Sequence, residues 1–144
     1  MARITVIDDQ RSNLLTMQMC LEAAGHQVRC FQTSQAFVDG FDPEGTDLVV
    51  FDFNLDDCTA FELLERTWKR YAGLAMPCVL IWSGNGDSVK DALVGQTNDV
   101  VETPPTDFVR HTVCPEDVLT KGVSLDDIYA AIARALQRGP ATAC

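Results

Sequence analysis

The chain has 144 residues, of which 11 are Lys or Arg and 21 are Asp or Glu, giving a net charge of -10. That length suits one compact domain burying roughly two-thirds of its unfolded surface, and the acidic balance repels nucleic-acid backbones and anionic membranes from most faces. The start, "MARITVIDDQ", has no apolar stretch of signal-peptide length and no later run approaches the ~20 apolar residues of a membrane span, so the expectation is a soluble, cytoplasmic protein with no direct nucleic-acid or membrane contact.

In chain order, short apolar runs alternate with segments of helical period. "RITVI" (3 to 7) reads as a buried strand, and "NLLTMQMCLEAAG" (13 to 25) sets Leu14, Met17, Leu21 and Ala24 on one helical face before a glycine stop. "HQVRCF" (26 to 31) is a second strand and "SQAFVDGF" (34 to 41) a short helix. "TDLVVF" (46 to 51) is a third strand; the helix after it opens at Thr59 with Glu62 at capping-box spacing and buries Phe61, Leu64 and Trp68. "PCVLIW" (77 to 82) and "DVLT" (117 to 120) are the fourth and fifth strands. The last helix is capped by Ser124 with Asp127 at the capping-box position, buries Leu125, Ile128, Ile132 and Ala135, and ends at "RGP".

Continuous apolar strands separated by helices predict a five-stranded parallel sheet, doubly wound, with helices on both faces. One domain over residues 1 to 138 is expected, followed by a frayed, flexible tail over 139 to 144. Cys20, Cys30, Cys58, Cys78, Cys114 and Cys144 are scattered without a C-x-x-C, which predicts reduced, mostly buried thiols. His26 and His111 are too far apart in sequence to suggest zinc, and His26 reads as a helix-terminal surface residue.

In a doubly wound sheet, ligands bind beyond the strand C-terminal ends. Asp8 and Asp9 end strand one, Asp52 ends strand three, Ser83 ends strand four and Lys121 ends strand five, so all arrive at one edge. Any of them singly is an ordinary turn or cap residue. Together they read differently. Two carboxylates ~4 Å apart repel by about 4 kcal/mol at an effective dielectric near 20, so three call for a cation, and oxygen ligands favour Mg²⁺. A buried carboxylate beside a metal and an ammonium is a nucleophile of the kind that forms an aspartyl-phosphate.

These residues resemble the response-regulator receiver domain over residues 2 to 138. "VIDDQ" is similar to that family's paired acids, "FDFNLDDCTAFELL" to its phosphoacceptor strand and loop, "IWSG" to its Ser/Thr switch followed by a small residue, and "LTKG" to its lysine turn. The resemblance implies a flavodoxin-like receiver fold with Asp52 as phosphoacceptor and metal ligand. It implies Asp9 as a direct metal ligand, Asp8 acting directly or through water, and the Asn54 backbone carbonyl completing a Mg²⁺ (or Mn²⁺) site. Ser83 would bond the phosphoryl oxygen, Lys121 would pair with it, and Gly84, Asn54 and Asn85 would line its site. The implied partners are a histidine kinase or phosphotransfer protein, a downstream protein or effector domain, and a second copy in a homodimer. Such a domain is not an enzyme in the ordinary sense: it catalyses its own phosphorylation from a phosphohistidine donor and its own dephosphorylation.

Several positions depart from the family pattern. Asp56 stands in place of Pro, Ala60 in place of Gly, and Gly122 in place of the proline after the lysine, where a trans peptide is expected. Val118 stands where the family has its aromatic switch residue. Between Ser83 and Lys121 the chain is longer than one ~12-residue crossover helix and two loops require, which predicts an enlarged segment within 84 to 117. Pro104 and Pro105 followed by Thr106 and Asp107 predict a break and a fresh short helix, with Phe108 and Val109 as an exposed apolar output surface together with Val118. The main alternative is a phosphorylation-independent pseudo-receiver that works as an interaction module. A Mg²⁺-dependent phosphohydrolase is the third reading, but Asn54 cannot serve as the general acid that chemistry wants two residues after the nucleophile.

Overall fold

The computed structural model describes residues 2–96, 98, 101 and 104–138. The expected tail, 139 to 144, lies outside the described residues. Five strands, β1 (Arg3–Ile7), β2 (Gln27–Phe31), β3 (Leu48–Asp52), β4 (Cys78–Ser83) and β5 (Val118–Thr120), alternate with helices α1 (Arg11–Ala23), α2 (Ser34–Gly40), α3 (Ala60–Arg70), α4 (Gly86–Leu93), α5 (Asp107–Thr112) and α6 (Leu125–Arg138). All strand pairs are parallel, in the order β2-β1-β3-β4-β5. Among the described residues, two helices, α4 and α5, and a 3-10 turn over Pro115–Asp117 occupy the β4–β5 connection.

Strand parity divides the core. Ile4, Val6, Leu48, Val50 and Leu80 point to a layer closed by Leu14, Met17 and Leu21 of α1 and by Ile128 and Ile132 of α6. Ile7, Val49, Phe51, Val79 and Ile81 point the other way, onto Phe37, Leu63, Leu64, Val89 and Val109 of α2 to α5. Burial on both faces explains why the central strands read as unbroken apolar runs.

Local signals set several boundaries. Thr59 Oγ1 accepts from Glu62 N at 3.3 Å, Thr106 Oγ1 from Val109 N at 3.4 Å, and Ser124 Oγ from Asp127 N at 3.1 Å. These caps satisfy amide groups that a helix start leaves open. Two expected core positions are exposed instead. Ala24 is the C-cap of α1, already outside the helix, and Leu125 opens α6 at 43% exposure, before the helix comes down onto the sheet. The Val109 expectation also fails: it is 1% exposed, packed with Val89, Val113 and Val118, while Phe108 is 40% exposed. Adjacent residues on a helix face apart, so α5 buries one of the pair.

Cys20, Cys30 and Cys58 are reduced, as expected, but half-buried rather than buried, and Cys114, against expectation, is disulfide-bonded. His26 is half-buried, its Nδ1 accepting from Ala2 N at 3.0 Å. No helix among the described residues is long and apolar enough to cross a membrane.

Candidate functional site

Ile7 is level with Phe51 in the β1–β3 ladder, which brings Asp8 level with Asp52. Parity continues past the strand ends, so both carboxyls project on the α1–α6 side. β1 and β3 are adjacent strands whose connections leave in opposite directions, the switch point at which open α/β sheets bind ligands. Asp8 and Asp52 are 4% and 6% exposed, and Asp9 is half-buried. One carboxylate oxygen from each of Asp8, Asp9 and Asp52 lies within 4.8 Å of the others. Three hard oxygen donors converging in this way suit Mg²⁺ or Mn²⁺.

Lys121 enters from the edge strand, reaching across β4. Its Nζ lies 3.0 Å from Asp52 Oδ1 and 3.8 Å from Asp8 Oδ2. Gly122 after it has φ +97°, a left-handed conformation suited to glycine, and the described chain has no cis peptide. Burial pushes the Asp52 carboxyl up to about 6; the hydrogen bond from Lys121 works against that rise, while the charges of Asp8 and Asp9 add to it. Asp8 Oδ1 also accepts from Gln10 N at 2.9 Å, which fixes the turn into α1.

Ser83 is fully buried at the end of β4, its Oγ accepting from Asn85 N at 3.0 Å, so its proton remains free to be donated elsewhere. Its carbonyl accepts from Lys121 N at 2.7 Å, joining the ends of β4 and β5. Gly84 and Asn85 are exposed, and a side chain at Gly84 would meet open space. Asn54 is exposed in the loop after β3, which doubles back through an antiparallel bridge to Thr59. Val118 and Val109 are core residues remote from solvent.

The acids after Asp52 do other work. Asp56 is exposed, and Asp57 accepts a short hydrogen bond from the buried Ser34 hydroxyl, which holds its carboxyl below the usual range. That bond ties the β3–α3 loop to α2. Beside it, burial and the Asp57 charge push the Cys58 thiol up to about 11, leaving it protonated and unreactive. Neither the Ser34–Asp57 bond nor the pair that buried Asp117 forms with Arg138 at the surface has a local sequence signature, since each joins residues distant in the chain.

The response regulator receiver domain model matches residues 4–107, and the chain belongs to that family. It is 26% identical over 136 residues to the transcriptional regulatory protein TrcR of Mycobacterium tuberculosis, covering 94% of this chain and 46% of TrcR. It is 27% identical over 82 residues to the aerobic respiration control sensor protein ArcB of Escherichia coli, covering 57% of this chain and 10% of ArcB. The chain thus spans less than half the length of these relatives. A response regulator receiver domain protein from Clostridium thermocellum superposes with TM-score 0.65 at 23% identity, covering 96% of each chain. The chain is a receiver domain of the kind two-component systems use. The family match ends before β5, so the place of Lys121 rests on the fold itself.

Proposed function

We propose that Asp52 is a phosphoacceptor, charged by a phosphohistidine of a histidine kinase or phosphotransfer protein and dependent on Mg²⁺ or Mn²⁺. The observation that carries this reading is the buried Asp52 carboxylate, 3.0 Å from the Lys121 ammonium and within the Asp8–Asp9 cluster. Asp8, Asp9, Asp52 and the Asn54 backbone carbonyl would hold the cation. When bound, it supplies positive charge against the phosphoryl oxygens.

An Asp52 oxygen attacks phosphorus, the P–N bond breaks, and the departing imidazole nitrogen keeps the electron pair and takes up a proton. Lys121 then turns from the carboxylate to the phosphoryl oxygens, and the Ser83 hydroxyl donates to another. Gly84 and Asn85 line the entrance. Leu15 (46%), Met19 (70%) and Leu125 (43%) are exposed on α1 and α6, two helices joined by a Tyr129 to Cys20 carbonyl bond of 2.8 Å. This apolar seam begins beside the acid site and suits docking of the donor.

The output surface in this reading is the exposed side of the 84–117 segment, an enlargement of the family's β4–β5 connection, on which Phe108 stands. Hydrogen exchange there with and without beryllofluoride tests that assignment; protection confined to the Asp52 loop would remove it. Retention of the Asp52–Lys121 pair favours this reading over a pseudo-receiver. Intact mass after incubation with acetyl phosphate and Mg²⁺ is expected to show a phosphoryl adduct, absent in Asp52→Asn and in EDTA. An adduct that persists in the variant would overturn the assignment.

A further inference from the structure

Lys121 is weakly tethered by its own surroundings in the chain. The residue after it is Gly122, and β5 before it is a three-residue edge strand. Its backbone N–H bonds the Ser83 carbonyl, continuing a ladder of three register pairs between β4 and β5 on one side of the strand only. The second restraint is a close approach. A Cβ added to Gly86, the buried first residue of α4, would lie 2.2 Å from Thr120 Oγ1 and 3.2 Å from both Thr120 Cα and Cβ. The start of α4 is therefore seated directly on the residue before Lys121.

Building on Asp52 as phosphoacceptor, we propose that Gly86 and Thr120 form a joint that positions Lys121 against Asp52 and couples α4 to the charge Asp52 carries. Below the joint, Val89 of α4 and Val118 of β5 share one buried cluster. Helix and strand end thus move as one body, and the joint does this where Val118 offers no aromatic ring to do it. Rotation of Thr120 can clear its hydroxyl from an added methyl, but its Cα and Cβ cannot rotate away. A methyl at position 86 consequently shifts the end of β5 by a few tenths of an ångström and carries Lys121 off its position against the acids.

The joint makes two readouts move in opposite directions. With its ammonium displaced from Asp52 and Asp8, the cluster is more negative, so Gly86→Ala is expected to bind Mg²⁺ about three- to tenfold more tightly. Phosphorylation from acetyl phosphate is expected to slow about tenfold to a hundredfold, as a misplaced charge no longer meets the transferred group. Adding Thr120→Ala removes only the hydroxyl and leaves Cα and Cβ in place, so both shifts are expected to persist, and a full return to wild-type values would overturn the contact with the Thr120 Cα and Cβ. Thr120→Gly, which dissolves the joint without adding an atom, is expected to shift both readouts as Gly86→Ala does and serves if that variant fails to fold. Mg²⁺ affinity by calorimetry and adduct formation by mass would be measured on each full chain. Both readouts unchanged, or both falling together, would overturn the joint. A wild type that takes no phosphate refutes the phosphoacceptor reading instead, while the Mg²⁺ comparison still tests the joint.

Discussion

Replacing Asp52 by Asn removes a buried carboxylate that the folded protein holds protonated too long. Burial raises its folded pKa from 3.8 to about 6. The folded state therefore binds this proton more tightly than the unfolded state. Its stabilising contribution is fully present below pH 3.8 and is lost as pH rises through about 6. The difference between those pKa values corresponds to about 3 kcal/mol of stability forfeited near neutrality in the absence of divalent cations. An Asn side chain does not ionise. Asp52→Asn should match the wild type near pH 3.5 and exceed it above about pH 7 by up to that amount, roughly 6 to 12 °C in Tm for a domain of this size. Thermal melts by circular dichroism in EDTA from pH 3.5 to 8 measure it. Added Mg²⁺ should close the gap, because binding stabilises only the folded wild type appreciably. A Tm difference that is absent at pH 7.5, or is the same at every pH, would refute the idea that burial opposes the charge on Asp52.

Arg138 pairs with Glu116 and with Asp117, which is 5% exposed and whose carboxyl burial pushes up. Arg138→Met should cost about 1 to 3 kcal/mol by leaving that buried carboxylate without its partner, seen as a lower urea midpoint; Arg138→Met with Asp117→Leu should recover much of the loss, and a neutral single variant would count against the pairing. Trp82 is the register partner of Asp52 and is half-buried, whereas Trp68 lies in the core beside Phe41. Mg²⁺ should therefore change the tryptophan emission, and the response should vanish in Asp52→Asn and survive in Trp68→Phe; the opposite pattern would place the cation elsewhere.

Features governed by local chemistry were legible in the sequence. β1 was read to the residue because it is apolar on both faces, α3 and α6 were placed by caps whose hydroxyls lie three residues from the amides they accept, and α5 was placed by the Pro104–Pro105 break before Thr106 and Asp107. The start of α1 was missed by two residues because Gln10 makes no side-chain cap bond, so nothing in the chain marks it. The meeting of Asp8, Asp9, Asp52 and Lys121 followed from strand ends alone, since a parallel sheet delivers all its C-terminal ends to one edge. Val109 was misjudged because a six-residue helix is too short to display a period. The Gly86–Thr120 approach and the Ser34–Asp57 bond were invisible for another reason: they exist only once elements far apart in the chain are packed.

The left-handed backbone at Gly122 closes off a substitution that family comparison would recommend. Restoring common family residues usually stabilises a protein or leaves it unchanged, and the residue to restore after Lys121 is proline. Proline fixes φ near -65°, while Gly122 sits at +97°, so the ring cannot be accommodated by adjusting side chains. The peptide would have to be rebuilt on both sides, with Lys121 at the centre of the rearrangement. For anyone engineering this domain toward its relatives, position 122 and the lysine before it form one unit, to be exchanged together with the whole turn or left alone.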